Sequence, residues 1–93
     1  MKFKTETGTR YEIIDNETIR KNDVFLFNYV LLGSINPRYI SLKPKPHLTD
    51  YDRLKTITSE FQKGEQLVFQ KKSKTGEMQR KLHISSSIVK IRH

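Results

Sequence analysis

Apolar and polar residues alternate in short bursts along this chain, and turn-forming residues separate the bursts at intervals of roughly ten. Lys2 to Thr5 and Thr9 to Asp15 flank Thr7-Gly8, and the second run carries Tyr11, Ile13 and Ile14, side chains suited to a pleated surface. An opening hairpin is predicted. Asp15-Asn16-Glu17 is a turn cluster, Thr18-Ile19-Arg20 returns as a third strand, and Asn22-Asp23 turns the chain again.

Val24 to Leu32 reads as the strongest strand. Phe25, Phe27, Tyr29 and Leu31 fall on one face, and Val24, Leu26, Val30 and Leu32 share the other with Asn28. Both faces are apolar, so the strand is either central to a closed barrel or covered by another layer or subunit. Phe25, Phe27, Tyr29 and Leu31 are therefore read as an interface, and a homo-oligomer is expected. Gly33-Ser34 ends this strand, Arg38 to Leu42 forms a shorter one, and Pro44-Lys45-Pro46 stiffens an extended connector.

Thr49 to Gly64 carries conflicting signals. Thr49-Asp50-Tyr51-Asp52 has the form of a capping box, and Leu54, Ile57 and Phe61 recur near helical spacing. The β-branched run Thr56-Ile57-Thr58 opposes a helix, and Ile57-Thr58-Ser59 is echoed by Ile84-Ser85-Ser86. The reading is one helical turn near Asp50 and then a strand. Gln66 to Gln70, Lys81 to Ser85 and Ile88 to Ile91 complete the set, with Lys71 to Arg80 as a long hairpin tip. The predicted class is all-β: a single domain over 1–93, a small SH3-like or OB-like barrel of about seven short strands with at most one short helix.

Three segments carry a resemblance: Phe3-x-Thr5-x-x-Gly8-Thr9-x-Tyr11, then Lys63-Gly64-Glu65-x-Leu67-Val68-Phe69, then Ile84-Ser85-Ser86-Ser87-Ile88-Val89-x-Ile91. Their order resembles small phage-encoded SH3-like β-barrel accessory proteins. The resemblance implies a viral or prophage accessory protein, a group in which antagonists of host defence sequester a nucleotide signal or occlude a host enzyme.

Composition narrows the function classes. With 93 residues, 34% of them hydrophobic and no Trp, the chain suits a compact barrel better than a deep enclosed cavity. Cysteine is absent, which removes disulfides and thiolate metal sites and suits a reducing compartment. Met1 to Glu6 has no apolar leader pattern, and no run approaches the roughly 20 apolar residues of a membrane helix, so a cytoplasmic protein without a membrane partner is expected. For a viral protein that means the host cytoplasm.

Charge changes the picture most. Residues 1–42 hold six Lys/Arg against five Asp/Glu, whereas residues 43–93 hold twelve against five. A one-sided basic field concentrates anionic partners, so the ligand is expected to be an anionic small molecule or a nucleic acid. Lys71, Lys72, Lys74, Arg80 and Lys81 in the hairpin tip could track phosphates, although lysines also keep strand edges soluble. Arg38 beside Tyr39, and Arg53 two residues after Tyr51, could pair a guanidinium on a phosphate with a ring under a base. A stacking role for Phe25, Phe27 and Tyr29 is weaker, because little charge accompanies them in sequence.

Catalysis finds no support. His83 and Ser85 share a strand face, yet no third group orients the histidine and no oxyanion site is evident. Asp50 and Asp52 suit a helix cap better than a cation, and His47, His83 and His93 are scattered, so no metal and no cofactor are expected. Glycine patterns for phosphate loops or dinucleotides are missing. The expectation is a non-enzymatic binding protein whose basic half takes an anionic ligand. The competing expectation is a protein-protein inhibitor of a host defence or nucleic-acid enzyme.

Overall fold

In the computed structural model, which describes residues 1–37 and 57–93, the chain is all-β. Alternation sets the first four strands: β1 (Lys2–Thr5), β2 (Arg10–Asp15), β3 (Thr18–Lys21) and β4 (Val24–Leu26). In β1, Phe3 and Thr5 are buried while Lys2 and Lys4 are exposed, as a period of two requires. The strands form an antiparallel meander through tight turns. Asn22 and Asp23 both adopt positive φ, 49° and 67°, which short Asx side chains tolerate and which a two-residue hairpin favours.

β5 (Tyr29–Ile35), β6 (Gln66–Lys72) and β7 (Met78–Arg92) make a second meander, and β7 pairs with β1 to join the two. The seven strands run in the order β4-β3-β2-β1-β7-β6-β5. The strands at the two ends of this order, β4 and β5, follow each other in sequence, so the sheet curls towards a small barrel. A backbone bond from the Leu31 N–H to the Asn16 carbonyl (2.7 Å) ties β5 across to the turn between β2 and β3, and one from the Lys72 N–H to the Asn28 carbonyl (2.6 Å) extends the β5–β6 ladder to the turn that follows β4. Inside lie Phe3, Tyr11, Ile19, Leu31, Leu67, Phe69 and Ile88, drawn from six of the strands.

Several boundaries differ from expectation. Val24 to Leu32 is not one strand: Phe27 and Asn28 break it, with Asn28 at φ 66°, and the chain turns from β4 into β5. Leu31 is a core residue, 4% exposed, so it is not available as an interface; Tyr29 is half-buried and packs against that core. Gly33-Ser34 does not end the strand but lies inside β5. The second apolar face of β5 is covered within the chain, where Ile35, Val68 and Leu82 cluster with Leu32, Ile57 and Ile84.

Gly33 permits that cover. At φ 149° its α-carbon passes so close to the Thr58 carbonyl that a methyl group would collide with it. Ser34 and Thr58 then exchange two backbone bonds of 2.9 Å. Ser34 Oγ lies 2.6 Å from the Glu60 carbonyl and 2.5 Å from Glu65 Oε2, and its one proton serves one of them at a time. Of the strand expected after the helical turn, the described residues show a single bridge at Thr58. The helical turn near Asp50, the strand Arg38 to Leu42 and the Pro44–Pro46 connector fall outside the described residues.

At the other end of the sequence, Lys81 to Ser85 and Ile88 to Ile91 are parts of one fifteen-residue strand. Ser86 and Ser87 do not break it, because Ser85 Oγ accepts the Leu67 N–H at 2.9 Å where the β6–β7 register shifts. β7 changes partner there, pairing with β6 up to Ser87 and with β1 from Ile88 onward. The hairpin tip shrinks accordingly to five residues, 73–77.

Candidate nucleic-acid interface

The pairing of β7 with β1 brings the first and last strands together and sets their charged faces side by side. Lys2 and Lys4 point outward from β1; Lys90 and Arg92 point outward from β7. The register aligns Arg92 with Lys2, and Lys90 with Lys4. On the other side of β1, Lys2 faces Glu12 and Lys4 faces Arg10, and Glu12 in turn faces Arg20. Two parallel rows result. With strands about 4.8 Å apart, the row Arg92-Lys2-Glu12-Arg20 crosses roughly 14 Å of sheet.

These residues line a shallow groove of about 370 Å³, with six cations (Lys2, Lys4, Arg10, Arg20, Lys90 and Arg92) against two carboxylates, Glu12 and Asp23. Both carboxylates are engaged. Arg10 Nη2 donates to Asp23 Oδ2 at 3.0 Å, and Arg20 Nη1 lies 3.5 Å from Glu12 Oε2. Among the described residues, Lys2, Lys4, Lys90 and Arg92 have no carboxylate partner. Three cation pairs stand opposite each other, Arg92 with Lys2, Lys90 with Lys4, and Lys4 with Arg10. Directly opposed like charges destabilise a sheet.

An aromatic ring ends one row. Phe25 in β4 pairs with Arg20 in β3, and the guanidinium carbon lies 5.3 Å from the ring centroid, within cation-π range. The ring remains 47% exposed. A flat, open ring with an arginine beside it can receive a base while neighbouring cations meet phosphates. The charge missing from the Phe25 strand in sequence is supplied across the sheet.

The sequence-predicted residues are distributed differently. Lys72 Nζ is committed to Glu17 Oε1 at 2.5 Å, and Lys71 Nζ sits 5.8 Å from the Tyr29 ring centroid. Lys74 is exposed in the tip, which its own hydrogen bonds hold: Ser73 N–H to the Glu77 carbonyl at 2.7 Å and Gly76 N–H to the Ser73 carbonyl at 2.9 Å. Lys81 is exposed at the barrel mouth, remote in register from Lys90. Lys71, Lys72, Lys74 and Lys81 therefore do not form one patch. Arg38, Tyr39 and Arg53 lie outside the described residues, as does the side chain of Arg80. Phe25 and Phe27 are exposed, whereas Tyr29 and Leu31 face inward.

The N-terminal members of the basic face were missed because the charge count of the first half is nearly neutral. The usable signal was spacing, since Lys2-x-Lys4 and Lys90-x-Arg92 each place two cations on one face of a strand. Among the described residues no three His, Asp or Glu side chains converge to hold a metal ion, and no helix is long and apolar enough to cross a membrane. No family, curated protein or solved structure matches this chain.

Proposed function

We propose that this protein is a non-enzymatic binder of nucleic acid, holding a single-stranded phosphate backbone on the outer face of β7, β1, β2 and β3. One observation carries the reading: cations stand opposite cations on three register pairs, and none of Lys2, Lys4, Lys90 and Arg92 is ion-paired to a carboxylate among the described residues, Glu12 opposite Lys2 being engaged by Arg20. A face kept only for solubility would intersperse the signs. Polyanion binding relieves that repulsion, and Phe25 offers a base a stacking surface. On this reading the site lies away from the hairpin tip, and the resemblance to phage barrel proteins and a cytoplasmic setting are compatible with it.

Fluorescence anisotropy with a labelled single-stranded oligonucleotide tests this. If the four unpaired cations each neutralise one phosphate, the logarithm of the binding constant falls with log salt at a slope of about −2.8, or roughly fiftyfold between 50 and 200 mM. No binding at low salt, or binding indifferent to salt, would sink the proposal.

A second reading rests on a different surface. Val24 and Phe27 are 66% and 79% exposed, at or beside the free edge of β4, which favours a protein contact there, either a host protein or a second copy of this chain. Native mass measurement separates these two partners.

A further inference from the structure

A second cavity of about 370 Å³ opens at one mouth of the barrel, sharing Tyr11 but no charged residue with the groove on the outer face. Its lining brings together Lys21 from β3, Tyr29 from β5, and Lys81 and His83 from β7, above a floor that includes Tyr11 and Phe69. Tyr11 and Phe69 stack at 5.3 Å between centroids, and Tyr29 meets the His83 ring edge-on at 5.3 Å.

Three features distinguish this mouth from ordinary packing. The lining holds two lysines and no carboxylate, and neither lysine has an ion pair among the described residues. His83 Nε2 is buried without a hydrogen-bond partner, which is uncommon for a buried polar atom. The Tyr11 hydroxyl also makes no hydrogen bond among the described residues, and burial raises its pKa, so it stays a neutral donor at physiological pH. Aromatic walls, convergent polar atoms and a cationic rim in a cleft of this volume are the attributes of a small-molecule site.

We infer that the barrel mouth binds a small aromatic anion, with a nucleoside monophosphate as the fitting class. Its ring enters between Tyr29 and the floor, where a shift of the His83 side chain brings the buried, unpartnered Nε2 to it, and its phosphate meets Lys21 and Lys81 at the rim. Charge selects the phosphate, since two ammonium groups without a competing carboxylate attract a dianion. The aromatic lining selects the flat ring. This site shares no lysine or arginine with the outer face, so either can exist without the other.

The test titrates AMP, adenosine and ribose 5-phosphate separately into the full-length protein, reading amide shifts by NMR. The inference expects AMP to move the resonances of Lys21, Tyr29, Lys81 and His83 with a dissociation constant near or below about 1 mM, and each half-molecule to bind about tenfold more weakly. Lys81→Glu, at an exposed position, should weaken AMP about tenfold while leaving oligonucleotide binding to the outer face intact. His83→Phe, which keeps a ring and removes the nitrogens, should weaken AMP without moving the melting temperature much. AMP shifts confined to Lys2, Lys4, Lys90 and Arg92, or AMP binding unchanged in both variants, would overturn the inference, as would no shift at all.

Discussion

Lys4→Glu should make the protein more stable and a worse ligand binder. Lys4 sits between Lys90 on β7 and Arg10 on β2, so the substitution turns two opposed like-charge pairs into two attractive ones. Each exposed cross-strand pair is worth about 0.2–1 kcal/mol, and solvent keeps the gain to the lower part of that range. A net stabilisation of about 0.5–1 kcal/mol follows, equivalent to a rise of roughly 2–8 °C in melting temperature for a domain of this size. Because the charges are exposed, screening should erase most of the gain at about 1 M salt, where the Debye length is near 3 Å. Thermal melts of both proteins at low and high salt measure it directly. Oligonucleotide affinity should move the other way, with the salt slope shallower by about 0.7 for each phosphate that is no longer neutralised. A variant that melts lower than the parent at low salt, or that gains stability equally at both salts, would refute the charge argument.

Three other outcomes are expected. Gly33→Ala should cost about 3–4 kcal/mol, from backbone strain at φ 149° together with disruption of the Ser34–Thr58 bonds; urea unfolding reads it, and a cost under about 1 kcal/mol would contradict the close approach. The Glu17 backbone N–H and the Thr18 side chain hydrogen-bond the Asp15 carboxylate and lower its pKa, so its stabilisation is present above the unfolded value of about 3.9 and is lost as pH falls through the lower folded one. Asp15→Asn should therefore melt below the parent at neutral pH, with the gap closing in acid, and a gap independent of pH would exclude this role. Phe25→Ala should weaken oligonucleotide binding without changing its salt slope, because a ring stacks on bases and neutralises no phosphate; Phe27→Ser should leave that binding unchanged while dissociating any dimer seen by native mass spectrometry.

Much of the fold was legible from local chemistry. The alternation of Lys2-Phe3-Lys4-Thr5 and the Asx residues at 22–23 fixed the first strands and their turns, because burial of one face and positive φ are properties of a few neighbouring residues. Asn28 broke an apolar run that looked continuous: the left-handed residue costs little for Asn, and a hydropathy pattern does not register it. Ser86-Ser87 separated two expected strands, yet the Ser85 hydroxyl took the Leu67 N–H in place of a ladder bond and the strand ran on. The basic face was hidden for a topological reason. Lys2 and Lys90 are nearly the whole chain apart, and only the pairing of the first strand with the last sets them together. A charge count by halves divided one surface between two sums, and it credited the tip with lysines that Glu17 and Tyr29 occupy.

The most direct test of the central claim is an amide and side-chain NMR titration of the full-length protein with a short, unlabelled single-stranded oligonucleotide at low salt. Binding on the outer sheet predicts shifts concentrated at Lys2, Lys4, Arg10, Arg20, Lys90 and Arg92, with the Phe25 ring resonances moving alongside them. Shifts confined to residues 73–77 of the hairpin tip, or a spectrum that does not change, would contradict it.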